Sequence, residues 1–142
     1  MERPVSITNF ERCYLGALVV GLISTAINWN TVIAMSSANP AAAQFGPGFI
    51  STMLIGGTII GIAIRLALWF AAARKHAVVA KWIIVVLFAI SAAGLVWSLL
   101  RQSMPGGLIG VFTVVGFLLD AAAVWFLFRP DARVWFGETR VA

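Results

Sequence analysis

The sequence predicts an all-α protein, an integral membrane four-helix transmembrane bundle with a short C-terminal interfacial helix. Of its 142 residues, 61% are hydrophobic and 11% are charged, whereas a soluble domain carries about 25% charged residues. So few charges could not cover a globular surface that faces water. Four apolar runs are each about 20 residues long, the length of helix that crosses a hydrocarbon core of about 30 Å. Lone strands are excluded as spanning elements because their backbone groups would go unpaired in lipid.

The four runs and their connections are expected to form one transmembrane domain, residues 1–142. Thr8 and Glu11 have the spacing of a capping box, so the first helix should begin just ahead of its span. Gly46 and Pro47 lead into the second helix, and Pro130 ends the fourth. The predicted spans cover residues 13–34, 49–73, 82–100 and 108–128, and the interfacial segment covers residues 130–136.

The first run has a second interpretation, a secretory signal peptide cleaved near residues 36–38. We favour a retained span, because the run is 22 residues long and the apolar part of a signal peptide has about 7–15. Glu11 also places an acid in the flank ahead of the run, where signal peptides carry positive charge.

Basic residues flank the spans unevenly. Eight lie beside the two termini and at the connection between the second and third spans, and Arg101 alone lies on the other side. The positive-inside rule therefore predicts a multi-pass protein with cytoplasmic N and C termini. The net charge of +5 suits anionic lipid headgroups and gives no indication of nucleic acid. The eight residues are Arg3, Arg12, Arg74, Lys75, Lys81, Arg129, Arg133 and Arg140.

Two charged residues lie inside the predicted spans, Arg65 in the second and Asp120 in the fourth. Each is nine residues ahead of the arginine that marks the end of its span, Arg74 or Arg129. On parallel helices both therefore lie about 13 Å inside the cytoplasmic boundary. An unpaired charge near the bilayer centre costs about 2.5–3.5 kcal/mol. We expect an intramembrane ion pair between Arg65 and Asp120 that fixes the second helix against the fourth.

Three roles are open for these two charges. In the first, which we favour, the pair sets the register and packing of the helices. In the second, Asp120 exchanges a proton or cation while Arg65 tunes its affinity, although a guanidinium so close would keep the carboxylate ionised. In the third, Arg65 extends towards the headgroups and leaves Asp120 to a partner protein.

Small and polar residues recur at spacings of three and four along each span. Lipid tails are as apolar as leucine, so membrane helices associate through close packing at small residues and through hydrogen bonds. The stripes are therefore predicted to be packing seams, and the alternative is that part of the polar set lines a hydrated cavity leading to Arg65. The candidate packing glycines are Gly57, Gly61, Gly106, Gly110 and Gly116. The candidate cavity residues are Ser24, Asn28, Thr31, Thr58, Ser91, Ser98 and Thr113.

Aromatic residues cluster near the predicted ends of the spans, where interfacial anchors lie. In the C-terminal segment, Trp135 and Phe136 should face the acyl boundary while Arg133 faces the phosphates. The predicted anchors are Trp29, Trp69, Trp82, Trp97, Trp125, Trp135 and Phe136.

Catalysis and metal binding find little support in the composition. His76 is the only histidine, expected in a solvated loop, and Cys13 is the only cysteine. These counts exclude a Ser–His–Asp set inside the spans, a disulfide and a cysteine zinc site. Asp120 is the only acid inside the predicted spans, which excludes a catalytic pair of carboxylates. We therefore expect no enzyme, no cofactor and no metal.

Two segments resemble a known group of proteins. Residues 68–82, LWFAAARKHAVVAKW, look like the connection between helices 2 and 3 of small uncharacterised bacterial four-helix inner-membrane proteins. Residues 125–136, WFLFRPDARVWF, resemble the ending of those proteins, in which Pro-acid-Ala-Arg-x-Trp-Phe follows an aromatic and leucine run. The two segments cover about a fifth of the chain. The resemblance implies a bacterial inner membrane and four spans, and it implies no activity.

The leading functional hypothesis is a non-enzymatic accessory or interaction protein. Such a protein would act as a homo-oligomer or as a small subunit of a larger membrane complex, surrounded by membrane lipids and held by small-residue helix packing. The first alternative is a small solute or ion transporter with a polar cavity leading to Arg65 and Asp120. The second alternative is the binding of a lipid or another hydrophobic ligand between the helices.

Overall fold

Helices make up most of the described chain, and they confirm the predicted all-helical membrane fold. The computed structural model describes residues 2–104 and 106–138, so Arg140, counted above in the basic C-terminal flank, lies outside them. Four of the helices are long and apolar enough to cross a membrane, namely α1, α4, α5 and α6. The helices are α1 (Val5–Ile27), α2 (Trp29–Ser37), α3 (Pro40–Ala43), α4 (Pro47–Arg74), α5 (Val78–Leu100), α6 (Gly107–Leu127) and α7 (Pro130–Trp135).

The first predicted span forms two helices rather than one. Helix α1 begins at Val5, so Thr8 lies inside it and the predicted capping box is wrong. The carbonyl of Pro4 instead accepts the first helical N–H groups. The helix ends at Asn28, whose side-chain and backbone N–H groups both donate to the Ser24 carbonyl at 3.0 Å. Asparagine competes for backbone groups in this way, and beyond the break α2 packs against α4.

The four long helices form a ring in which each contacts two neighbours. Helix α1 packs most extensively against α6 and also contacts α4, while α5 contacts both α4 and α6. Helices α4 and α6 are therefore diagonal across the bundle. This arrangement corrects the expectation that the second span packs directly against the fourth.

Buried side chains concentrate at one end of the bundle, termed the closed end, where the first turns of α1, the α4–α5 connection and α7 meet. In α5, for example, the buried residues are Ala80, Lys81 and Ile84, all within its first two turns. Five members of the apolar core are alanines, and small side chains let helices approach closely. Towards the other end, termed the open end, most side chains are half-buried or exposed. The core comprises Ile7, Phe10, Tyr14, Leu68, Ala72, Ala73, Ala80, Ile84, Ala123, Leu127, Ala132, Trp135 and Phe136.

Helix α7 covers the closed end with aromatic side chains that are buried in protein. Trp135 and Phe136 are only 7% and 6% exposed, so the prediction that they anchor the segment at the acyl boundary is wrong. The indole Nε1 of Trp135 donates to the Ala72 carbonyl at 3.3 Å, and its ring lies 3.7 Å from the His76 ring, centroid to centroid. The apolar face of α7 thus packs against α1 and α6 rather than against lipid.

Two polar contacts fasten the C-terminal segment to the bundle. The hydroxyl of Ser6 donates to Oδ1 of Asp131 at 2.7 Å, and its backbone N–H donates to Oδ2 at 3.1 Å. Nζ of Lys81 donates to Oε2 of Glu138 at 2.7 Å, and the Lys81 side chain is 1% exposed. The same ammonium lies 4.5 Å from the ring centroid of Phe128. A carboxylate and an aromatic face therefore hold a buried positive charge.

The contact between Ser6 and Asp131 predicts acid-sensitive stability. Burial raises the pKa of Asp131, but hydrogen bonds from the Ser6 hydroxyl and N–H, with backbone bonds at Asp131 and Ala132, lower it below its usual value overall. The contact stabilises the fold above the unfolded-state pKa of about 4 and loses that stabilisation as the pH falls through the folded-state pKa. In detergent, the thermal unfolding temperature should therefore fall more steeply below about pH 4 for the wild type than for Asp131→Asn.

The matched control for this pH dependence is Ser6→Ala, which removes the hydroxyl donor and leaves the carboxylate. Its pH profile should lie between those of the wild type and Asp131→Asn. Equal pH slopes for all three proteins would show that the contact does not contribute to stability.

The remaining predicted anchors lie at or near the surface of the bundle. Trp82, Trp97 and Trp125 are each more than half exposed, as an anchor that faces lipid must be. Trp29 and Trp69 are half-buried. The interfacial role of these five residues stays a prediction that their exposure permits.

Candidate functional site

A cavity of about 440 Å³ lies between α1, α5 and α6 and is termed the central cavity. Arg65 and Asp120 lie at its inner end, and Met104 lies at its outer end, beside the connection between α5 and α6. Between Asp120 and Thr113 the cavity follows α6 for about 10 Å. Its volume falls within the range of about 300–1,000 Å³ that is usual for ligand sites. The residues from α1 are Ala17, Gly21 and Ser24, those from α5 are Ser91, Gly94, Leu95 and Ser98, and those from α6 include Phe112, Thr113, Gly116 and Phe117.

The helices place these residues together because the stripes recur every three or four residues, which keeps them on one helix face. Ser91, Gly94 and Ser98 follow this spacing on α5, and Thr113 and Gly116 continue it on α6. The stripes of α1, α5 and α6 that the sequence predicts as packing seams therefore face the inside of the bundle. They surround an open volume there rather than a closely packed seam.

Arg65 and Asp120 form the ion pair that their equal depth predicts. Nη2 of Arg65 donates to Oδ1 of Asp120 at 2.5 Å, and Nη1 donates to Oδ2 at 3.4 Å. This fork-to-carboxylate arrangement is the strong form of such a contact. The two side chains remain 30% and 25% exposed, because both border the central cavity. The role in which Arg65 turns away and leaves Asp120 to another protein is therefore not the arrangement in this structure.

The pair crosses the bundle between two diagonal helices. Arginine has the reach for this because its guanidinium stands at the end of a long flexible stem. The contact places opposite charges at the centre of an otherwise apolar assembly, where an unpaired charge would cost about 2.5–3.5 kcal/mol.

Tyr14 supports the guanidinium from the closed end. The Arg65 guanidinium carbon lies 4.5 Å from the centroid of the Tyr14 ring, a distance at which the ring face attracts a cation. A smaller cavity of about 90 Å³ borders Tyr14, Arg65 and Asp120, and its volume exceeds that of a water molecule. Nε of Arg65 is buried without a hydrogen-bond partner among the described residues. The pair thus keeps hydrogen-bonding capacity beyond the contact with Asp120.

Four of the seven predicted cavity residues line the central cavity, and three do not. Ser24, Ser91, Ser98 and Thr113 border it. The side chain of Asn28 donates to the Ser24 carbonyl at the break between α1 and α2, and Thr31 lies beyond that break on α2. Thr58 does not border the central cavity, and its hydroxyl donates to the Leu54 carbonyl of its own helix at 2.7 Å. Fewer of the predicted residues thus line the cavity than expected, and those that do belong to α1, α5 and α6.

The predicted packing glycines do not pack within this chain. A methyl group built on Gly57, Gly61, Gly106 or Gly116 would meet nothing within 4 Å, so no other helix of this chain packs closely against these four glycines, and packing against a second chain stays a prediction. Gly57 and Gly106 are exposed, so their faces are turned away from the other helices of the chain. Gly110 is half-buried.

Two residues that help to form the site, Gly16 and Tyr14, were not among the site residues predicted from the sequence. Gly16 lies at the contact between α1 and α6, since a methyl group there would lie 3.8 Å from Cδ1 of Leu119. Tyr14 is three residues ahead of Ala17, so extending the α1 stripe by one step towards the N-terminus would have identified it. An aromatic residue near a span end fits an interfacial belt equally well, which hid its contact with Arg65.

The central cavity combines hydroxyl-bearing residues, apolar walls and one pair of opposite charges. Within residues 2–104 and 106–138 no three His, Cys, Asp or Glu side chains come together as a metal site would require. Comparisons of the chain with protein-family models, with curated proteins and with solved structures give no match.

Proposed function

We propose that this chain is a small membrane carrier that binds a solute in the central cavity. The observation that supports the proposal best is the convergence of hydroxyl-bearing residues from three helices on one cavity that ends at the Arg65–Asp120 pair. Ionisable residues inside a membrane bundle are costly, and they mark solute or ion paths.

The two ends of the bundle differ in the way that alternating access requires. The central cavity reaches the open end beside Met104, whereas the apolar core and α7 fill the closed end. Carriers bind near the midplane and expose the site to one side at a time. With its basic flanks, the closed end is proposed to face the cytoplasm of a bacterial cell, with the chain in the inner membrane.

Water access to the central cavity is tested with single cysteines. In a Cys13→Ala background, Ser91→Cys should react with a membrane-impermeant maleimide in intact vesicles. Ile90→Cys is the matched control, because Ile90 is the adjacent residue on α5 and is 64% exposed on a face that does not border the central cavity. Thiols react as thiolates, which need water, so Ser91→Cys should react at least ~10-fold faster than the control.

The labelling experiment can also contradict the carrier proposal. If Ser91→Cys and Thr113→Cys stay as unreactive as Ile90→Cys, the central cavity is dry and the proposal fails. If both react from only one side of the membrane, the structure corresponds to one state of the carrier, and a transported solute should make both thiols react more slowly.

A second candidate is the accessory or interaction subunit, acting as a homo-oligomer or in a larger membrane complex. The observation that favours it is the open space beside Gly57 and Gly61 on α4, because paired glycines four residues apart allow close approach of another helix. In the same cysteine-free background, Gly57→Cys would form disulfide-linked dimers if two copies meet there. Absence of the cross-link in native membranes would exclude a homo-oligomer built on this face.

A further inference from the structure

We infer that the ligand of the central cavity is a zwitterion, a molecule of zero net charge that carries separate positive and negative groups. The inference rests on the proposed function, since it names the chemistry of the solute bound at that site. It follows from the charge balance of the cavity, from the geometry of the Arg65–Asp120 pair and from the size of the space.

Charge balance is the first step. Among the described residues that line the central cavity, Arg65 and Asp120 are the only two with a formal charge, one of each sign. The cavity wall is therefore electrically neutral as a whole. A ligand with a single charge would bring an uncompensated charge into the middle of the membrane, which is strongly unfavourable. A ligand of zero net charge avoids this cost.

The geometry of the pair is the second step, because it distinguishes a zwitterion from an apolar molecule. The two side chains lie side by side and both border the same cavity. A guanidinium has five N–H donors and a carboxylate has about four acceptor sites, and the observed contact uses two of each. An anionic group on the ligand can therefore bind Arg65 while a cationic group binds Asp120, without breaking the existing pair.

The size and walls of the cavity are the third step. A volume of about 440 Å³ accommodates an amino-acid-sized molecule or a phospholipid headgroup. Hydroxyls of Ser24, Ser91 and Ser98 lie along the wall between the pair and the open end, where they can hydrogen-bond to ligand oxygens. The shared chemistry is an ammonium group joined to a carboxylate or phosphate, and its source is either a free solute or a zwitterionic lipid.

The test compares three small probes on the full-length protein purified in a nonionic detergent. Glycine betaine carries both charges, choline only the positive one and acetate only the negative one. The thermal unfolding temperature of the wild type should rise by about 5 °C with saturating glycine betaine and should not change with choline or acetate. To separate the two sources, nanodiscs of phosphatidylcholine are compared with nanodiscs of phosphatidylglycerol, and stabilisation by phosphatidylcholine alone identifies a lipid headgroup.

Two variants test in opposite directions whether the charge of the cavity determines the charge of the preferred ligand. Asp120→Asn leaves the cavity with one positive charge, so its stabilisation should move from glycine betaine to acetate. Arg65→Gln leaves one negative charge, so its stabilisation should move to choline. General destabilisation would not reverse the preference in two directions, and the wild-type comparison stands even if one variant fails to fold.

The outcomes separate this inference from the carrier proposal. Equal stabilisation of the wild type by choline or acetate would overturn the zwitterion inference and leave a ligand site in the cavity. No stabilisation by any probe or lipid, while Ser91→Cys still reacts with maleimide, would also overturn the inference alone. No stabilisation together with an unreactive Ser91→Cys would overturn both.

Discussion

Asp120→Asn is expected to lower the free energy of unfolding by about 2–3 kcal/mol. The substitution leaves the Arg65 guanidinium without its carboxylate partner at the centre of the bundle, where Nε of Arg65 already has no partner in the described part of the chain. The expected loss is below the full cost of breaking a buried pair, because the two side chains keep 30% and 25% of their surface exposed. Reversible unfolding in mixed micelles with a rising fraction of sodium dodecyl sulfate measures it.

A double-mutant cycle shows whether this loss comes from the pair itself. Combining Asp120→Asn with Arg65→Gln removes both charges, so the double variant should lose at least ~1 kcal/mol less than the sum of the single losses. Thr113→Val is the control, since it removes a hydroxyl from the cavity wall without touching a charge and should change stability by less than about 0.5 kcal/mol. Additive losses for the two charged positions would mean that the ion pair does not stabilise the bundle.

Glu138→Gln is expected to destabilise the closed end by about 3 kcal/mol. The Lys81 side chain is 1% exposed, and its ammonium loses its carboxylate partner in this variant. The aromatic ring of Phe128 remains but replaces little of a carboxylate's interaction with a desolvated charge. Thermal unfolding in detergent measures the loss, and proteolysis near the C-terminus should become faster as the segment after α7 detaches.

Removing the buried charge should suppress the effect of Glu138→Gln. In a Lys81→Met background the apolar stem is retained and no ammonium needs a partner, so Glu138→Gln should cost less than about 0.5 kcal/mol. Lys75→Gln is a matched control, because this lysine lies exposed in the α4–α5 connection. If Glu138→Gln costs the same with and without Lys81, the buried ammonium does not depend on that carboxylate.

Much of the membrane fold could be predicted because the bilayer reduces the problem to one dimension. Length and apolar composition place the spans, and the distance from each span end places Arg65 and Asp120 at one depth. The cost of an unpaired charge then indicates the pairing without any knowledge of which helices are neighbours. The same reasoning could not show that α4 and α6 are diagonal, because depth carries no information about lateral order.

The features that sequence reasoning misplaced share a physical cause. In a membrane, lipid and protein interior are both apolar, so Trp135 and Phe136 look the same whether they face acyl chains or Ala72. Gly57 has the same ambiguity, because a small residue permits close approach but does not require it. The break at Asn28 was hidden in a similar way, since one asparagine can either cross to another helix or cap its own.

Because tight packing is concentrated at the closed end, the long helices can tilt about that end. Each long helix is packed near α7 against alanines and aromatic rings. A small tilt of a helix about this packed end therefore produces a larger displacement at its other end. At a distance of about 20 Å, a tilt of about 10° displaces a helix tip by about 3 Å. Small rearrangements beside Lys81 and Trp135 would therefore widen or narrow the mouth near Met104, far from where they begin.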